Sequence, residues 1–210
     1  MISLSEILHT IAQALMIPCL IILIILMAGA VWQIGDIVVE YIAERRKHKC
    51  NVPQLLRDVH AAGADGLADL IENSGLLRRQ KKALLELAES RGLPKDTLTA
   101  LAERLLATEE ARNARTTSVT DMIAKLGPMF GLLGTLIPLG PGIVALGQGD
   151  TVTLSESMNV AFDTTIAGVI SAAVASGISH IRKRWYNDDM VSLETLMEAV
   201  LEEVTSDVEG

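Results

Sequence analysis

The side chains best placed to do chemistry stand inside two apolar stretches, Thr135 in FGLLGTLIP and Asp163, Thr164 and Thr165 in AFDTTIAGV. A threonine hydroxyl donates and accepts hydrogen bonds, holds water and does not itself ionise, so a row of them wets a channel without fixing a charge there. Its cheapest partner in apolar surroundings is its own backbone carbonyl one turn earlier, which gives every single threonine a purely local reading as well. An acid at the centre of a bilayer costs about 2.5–3.5 kcal/mol, so Asp163 has a functional reading by default and a bland one if it sits near enough to the outer end to stay wet. Company strengthens the functional reading. Ala161, Thr165, Gly168, Ala172, Ala175 and Ser179 recur at helical spacing as a stripe of small residues, and Gly127, Gly131 and Gly134 do the same one stretch earlier. Such stripes suit close helix packing or a narrow polar path.

Positioning these groups requires membrane helices. The segment Gly127–Gly149 has no charge, three prolines and seven glycines. That composition would cripple a helix in water, yet it is tolerated where neighbouring helices re-satisfy the backbone and small residues allow close approach. Half of the 210 residues are hydrophobic. The excess is concentrated in three runs: Ile11–Gly35, 25 residues without charge; Leu126–Gly149; and Met158–Ser179, interrupted by Asp163. A span needs roughly 20 such residues. Transmembrane helices are therefore expected over 11–39, 122–147 and 158–180. MISLSEILHT has no Lys or Arg, unlike the basic start of a secretory signal. The flanks ERRKHK (Glu44–Lys49) and HIRKRW (His180–Trp185) are basic, whereas Gln148–Ser157 has no Lys or Arg. By the positive-inside rule both flanks are cytoplasmic, residues 1–10 are outside, 148–157 form an outside loop, and the C-terminal segment is inside. Trp32, Tyr41, Trp185 and Tyr186 fall near the inner ends of the spans, where an aromatic belt is expected.

Residues 40–121 read as a cytoplasmic helical region. A first helix starts with Asn51 as cap and Pro53 near its first position and stops near Gly63; a second covers Ala64–Glu72; a third, LLRRQKKALLELAESRG, ends at Gly92. Pro94 opens a fourth that meets neither Gly nor Pro before Gly127, so one long helix is expected to run into the second span, about 75 Å if unbroken, with Thr116–Thr120 as its weakest section. From Trp185 onward there are eight acids and no Lys or Arg, equal to the whole net charge of −8. Val191, Leu193, Met197, Val200, Leu201 and Val204 recur at helical spacing there, predicting for 181–210 an amphipathic helix that packs on the cytoplasmic bundle and presents a solvated acidic face.

Several classes are disfavoured. Cys19 lies within the first span and Cys50 beyond it, so the two do not pair within one chain. His9, His48, His60 and His180 are scattered without ligand partners, and no nucleophile–base constellation, metal-ligand motif or phosphate loop stands in the sequence. The reading is neither an enzyme nor a cofactor or metal protein. Two classes remain, an ion-conducting subunit and a non-conducting membrane scaffold whose cytoplasmic helices recruit partners.

GLLGTLIPLGPGI (Gly131–Ile143) resembles the second-span signature of the MotA/TolQ/ExbB proton-channel family, and TIAGVISAAVASGI (Thr165–Ile178) resembles its third-span segment. Three spans with a large insert between the first two resemble the TolQ/ExbB branch. The resemblance implies an all-α, three-span fold, a homopentamer in the cell membrane, and a single-span partner of the TolR/ExbD/MotB kind whose membrane carboxylate accepts protons within the pore. It implies that Thr135 and Thr165 lie near that pore; Thr164 and Asp163, adjoining Thr165 in the sequence, are candidates for the same path by their chemistry alone. Three departures stand out. Pro138 and Pro141 predict a kinked outer half of the second span. The family's third-span proline is absent, with Ser176 and Gly177 in its neighbourhood, and Asp163 lies about 200° around the helix from Thr165.

Overall fold

The computed structural model describes residues 4–42 and 51–209, all-α and without a strand among those residues. Six helices follow in order: α1 (Leu4–Ala14), α2 (Met16–Glu40), α3 (Val52–Asn73), α4 (Arg78–Glu89), α5 (Lys95–Gly147) and α6 (Thr151–Glu209). Three segments are long and apolar enough to cross a membrane, Glu6–Glu40, Lys95–Gly147 and Thr151–Ser206. The basic run 44–49 and Cys50 lie outside the described residues.

The helices depart from the sequence reading where proline and capping chemistry decide. The first span is interrupted at Leu15, because Pro18 has no N–H for the Ala14 carbonyl and its ring clashes with that carbonyl. The Leu15 amide is shared between Ile11 and Ala12 oxygens at 3.1 and 3.2 Å, and Cys19 N–H picks the ladder up again on Leu15 O at 3.0 Å. The two helices expected on either side of Gly63 are one element with a kink, Gly63 standing at φ 63° and ψ 177°. Asn51 starts α3 through its carbonyl, which accepts from Gln54 and Leu55 amides; its side chain makes no cap. Gly92, at φ 95°, ends the α4 turn as its composition requires.

Helix α5 is the long helix expected after Pro94, whose carbonyl accepts from Thr97 and Leu98 amides at 2.9 and 3.0 Å. It stays helical through Thr116–Thr120 and through Pro128, Pro138 and Pro141, so the prolines expected to distort its far half do not end it. The link expected over 148–157 is shorter: the helix resumes at Thr151. Gly149, at φ 79°, turns the chain, and Asp150 caps α6 by accepting from Val152 and Thr153 amides, each at 3.1 Å. The hydrogen bond from the Thr153 hydroxyl, and after it these amide bonds, hold the Asp150 carboxyl below its usual range. The third span and the acidic C-terminal segment, read apart at 180/181, are one uninterrupted helix. No Gly or Pro stands between Ile178 and Ser206 to stop it.

The chain divides into two compact units. The first comprises 1–37 and 117–181, and the second 38–116 and 182–210. The second has a leucine-rich core. Leu55, Val59, Leu67 and Ile71 of α3, Leu84 and Leu87 of α4, and Leu98 of α5 bury against Leu193, Leu196, Met197, Val200 and Val204 of α6. Glu194, Glu198 and Glu202 stay exposed. Of the apolar set expected on α6, Val191 is exposed, and Leu196 joins the core instead. The first unit has only a small apolar cluster, Leu26 and Ala30 of α2 with Ile123 of α5 and Ala175 of α6.

Candidate functional site

In the first unit α5 and α6 lean on each other through residues without side chains. A Cβ added to Gly168 would lie 2.5 Å from the Gly127 carbonyl oxygen and 2.8 Å from Gly131 Cα; one added to Gly127 would lie 2.7 Å from Gly168 O and 3.1 Å from Ala172 Cβ. The seam continues with Gly131, where an added Cβ would lie 3.4 Å from both Thr164 O and Gly168 Cα, and with Gly134, whose added Cβ would meet Thr164 Cβ at 2.5 Å. In lipid such a surface is held by dispersion between close backbones rather than by expulsion of water, with interhelical hydrogen bonds adding to it. The residues read from spacing as packing positions, Gly127, Gly131, Gly134, Gly168 and Ala172, all stand on this seam.

The four candidate path residues separate around it. Thr164 is buried, wedged against Gly134, and its hydroxyl donates to the Val160 and Ala161 carbonyls at 2.9 Å each. Thr164 thus faces the seam rather than its margin. Thr135 and Thr165 are half-buried at its margin. Their hydroxyls donate to Leu132 O at 2.7 Å and Ala161 O at 3.0 Å, the local bonds that cost a helix least. A hydroxyl that donates to its own backbone keeps its oxygen lone pairs, so both remain acceptors toward whatever approaches from the margin. Asp163 is exposed and turned about 100° from Thr164.

Sequence reasoning missed a second polar group lower in the same two helices. Ser179, 4% exposed, donates to Asp121 Oδ1 at 2.5 Å across 58 residues of chain. Beside Asp121, Thr120 is fully buried, and its hydroxyl has no partner among the described residues. Asp121 falls at the edge of the region read as cytoplasmic, and a pair so distant in sequence leaves no local pattern. The available signal was that Asp121 and Ser179 occupy the matching ends of two antiparallel apolar runs.

The second unit holds a different kind of polar site. Arg182, 1% exposed, donates from Nε to Glu40 Oε2 at 3.0 Å. Tyr186, one turn on, has its phenol pushed up to about 12 by burial first and then by the Glu40 carboxylate it hydrogen-bonds. Tyr41 stacks on Trp185 with ring centroids 6.1 Å apart. Gln80 ties α4 to this end of α6 through Nε2 to Asp189 O at 3.0 Å, while its Oε1 accepts the Leu77 amide and so caps α4. Among the described residues no cluster of His, Cys, Asp or Glu has the makings of a metal site.

The apolar parts of α5 and α6 thus meet along a glycine seam with threonines at its margin. The family model of the MotA/TolQ/ExbB proton channels matches residues 70–195, from the end of α3 through α4 and α5 and well into α6. The chain belongs to the MotA/TolQ/ExbB proton channel family. None of the curated proteins matches it. Membership and three apolar spans make it a multi-pass membrane protein with a proton-channel role in a motor-like complex.

Proposed function

We propose that the chain forms a homo-oligomeric ring, a pentamer by family analogy, around a single-span partner of the TolR/ExbD/MotB kind, and that protons passing between ring and partner helix drive mechanical work on another component. The observation that carries this reading is the half-buried placement of Thr135 and Thr165 at the margin of the seam, each with lone pairs still available. A carboxylate on a partner helix would gain its proton through water or hydronium held on these oxygens. Relay requires the hydroxyl to swing off its own carbonyl, a rotation between staggered wells. Asp163 supplies negative charge at the rim of that path, and Asp121 with Ser179 offers a polar step nearer its other end.

In this reading the ring sits in the cell membrane with the N-terminus outside, the 148–150 turn outside, and the second unit in the cytoplasm, as the basic flanks dictate. The exposed apolar side chains Leu132, Leu136, Ile166 and Ile170 then meet lipid or a neighbouring subunit.

The test replaces each margin hydroxyl with an isosteric methyl group. In Thr135→Val and Thr165→Val the ring assembles at wild-type yield, and proton flux into vesicles containing the partner, read with a pH-sensitive dye, is lost. Wild-type flux in both variants refutes the path and leaves the hydroxyls as local helix bonds. Lost assembly in both assigns them to packing.

A further inference from the structure

The net charge of −8 hides a separation of signs within the second unit. Between α4 and α5 runs a groove of about 790 Å³, with Arg79 and Lys82 on one wall and Arg104, Arg112 and Arg115 on the other. The acids lining it are Glu86 and Glu109, and Glu109 is engaged by Arg112 at 3.6 Å. Lys82, Arg104 and Arg115 form no ion pair among the described residues. The groove therefore presents a positive surplus on an acidic protein.

The matching surface is on α6. Glu194, Glu198 and Glu202 stand four residues apart, all exposed, on the side opposite the buried Leu196, Val200 and Val204. Arg104, Thr108 and Arg112 repeat with the same four-residue period on α5. Both stripes advance about 6 Å per step, so two helices laid side by side bring Glu194 and Glu202 against the two arginines, with Thr108 opposite Glu198. The two surfaces cannot meet within one chain. Helix α6 contributes nothing to the lining of the groove, and its other side is already fixed in the core of the same unit.

We infer that the α4–α5 groove receives the acidic stripe of α6 from a second copy of this chain. Because groove and stripe are different surfaces, the contact is head-to-tail, and repeating it closes a ring or extends a filament. The inference rests on the ring reading above and supplies the cytoplasmic register of its subunits. The pairs are solvated, so they set orientation and partner choice more than affinity and weaken as salt shortens the screening length to about 3 Å at 1 M.

The experiment uses the full-length protein in a Cys19→Ala/Cys50→Ser background, mixing copies that carry Thr108→Cys with copies that carry Glu198→Cys in lipid nanodiscs. The expected result is an intermolecular disulfide between the two kinds of copy, diminished at 1 M salt. It is lost with Arg104→Glu/Arg112→Glu/Arg115→Glu and recovered when the other copy also carries Glu194→Arg/Glu202→Arg. Native mass spectrometry of the same samples separates the two ideas. An intact oligomer with no 108–198 disulfide overturns the groove assignment and leaves the ring standing. An intact oligomer that forms only with anionic lipid, again without the disulfide, gives the groove to lipid headgroups and overturns it equally. Monomers alone remove the ring reading and this inference with it.

Discussion

The two units bury opposite kinds of residue. In the second, leucine, isoleucine and valine point inward and charge points outward, as the hydrophobic effect demands of a body in water. In the first, glycine, alanine and serine line the contact between α5 and α6, while Leu132, Leu136, Phe162, Ile166 and Ile170 project outward. A chain that turns its large apolar side chains out gains nothing from hiding them, because its solvent is as apolar as they are. What holds helices together there is proximity of backbones, and glycine supplies it. One sequence thus obeys two sets of rules, and each point mutation reveals which set governs its site.

The largest effect belongs to Gly168→Ala. The atoms its methyl group would strike, Gly127 O and Gly131 Cα, are backbone, so no rotamer change relieves the clash and the helices must part. The cost exceeds the roughly 1–3 kcal/mol of ordinary overpacking, and the assembled oligomer is expected to vanish from size-exclusion profiles. Gly177→Ala, with nothing within 4 Å of the added methyl, is the silent counterpart on the same helix. If both variants assemble alike, the seam does not hold the unit together.

Next in size is a matched pair of leucine truncations. Leu87 is fully buried, and Leu87→Ala should destabilise by about 2–5 kcal/mol in thermal or denaturant unfolding. Leu136 is 64% exposed, and Leu136→Ala should change unfolding in lipid by less than about 1 kcal/mol, because it leaves no cavity. Equal losses at the two sites would erase the contrast between the units.

The smallest effect is a pH dependence. Tyr186 holds its proton up to about 12 in the folded chain, against an ordinary tyrosine near 10. Its contribution to stability is complete below pH 10 and is lost as pH rises from there through 12, because the unfolded chain releases the proton first. Ultraviolet titration of wild type against Tyr186→Phe should show a tyrosinate absorbance missing near pH 11 that appears near 12, and a steeper loss of stability over that interval in wild type. An ordinary phenol titration for Tyr186 would mean that Glu40 and burial do not act on it.

How much of this was legible in the sequence followed from the range of the forces. The glycine seam was readable because Gly127, Gly131, Gly134 and Gly168 repeat with the helix itself. Helix α5 was readable because no residue after Pro94 could stop it before the apolar run. The interruption at Leu15 needed the effect of Pro18 four residues back, and the short 148–150 turn needed the capping geometry of Asp150, both local but easily overlooked inside an apolar or polar run. Arg182–Glu40 and Ser179–Asp121 were out of reach, since their partners lie 142 and 58 residues apart and periodicity carries no long-range pairing. Thr164 could not be told from a margin residue in the sequence for a related reason. Its neighbour Thr165 shares its chemistry, and only the approach of Gly134 distinguishes a packing hydroxyl from a marginal one.

The prolines of α5 carry a mechanical consequence. Pro128, Pro138 and Pro141 offer no N–H to the carbonyls of Ala124, Gly134 and Ile137, so three of the springs that stiffen a helix along its axis are missing within one span. Elastic compliance is concentrated there, and a sideways load on α5 bends it between Ala124 and Pro141 before it bends the proline-free stretch from Lys95 onward. Two of the missing springs flank Thr135, so the most yielding part of the rod is also the part that carries the margin hydroxyl, and deflection of the helix and displacement of that oxygen become one motion.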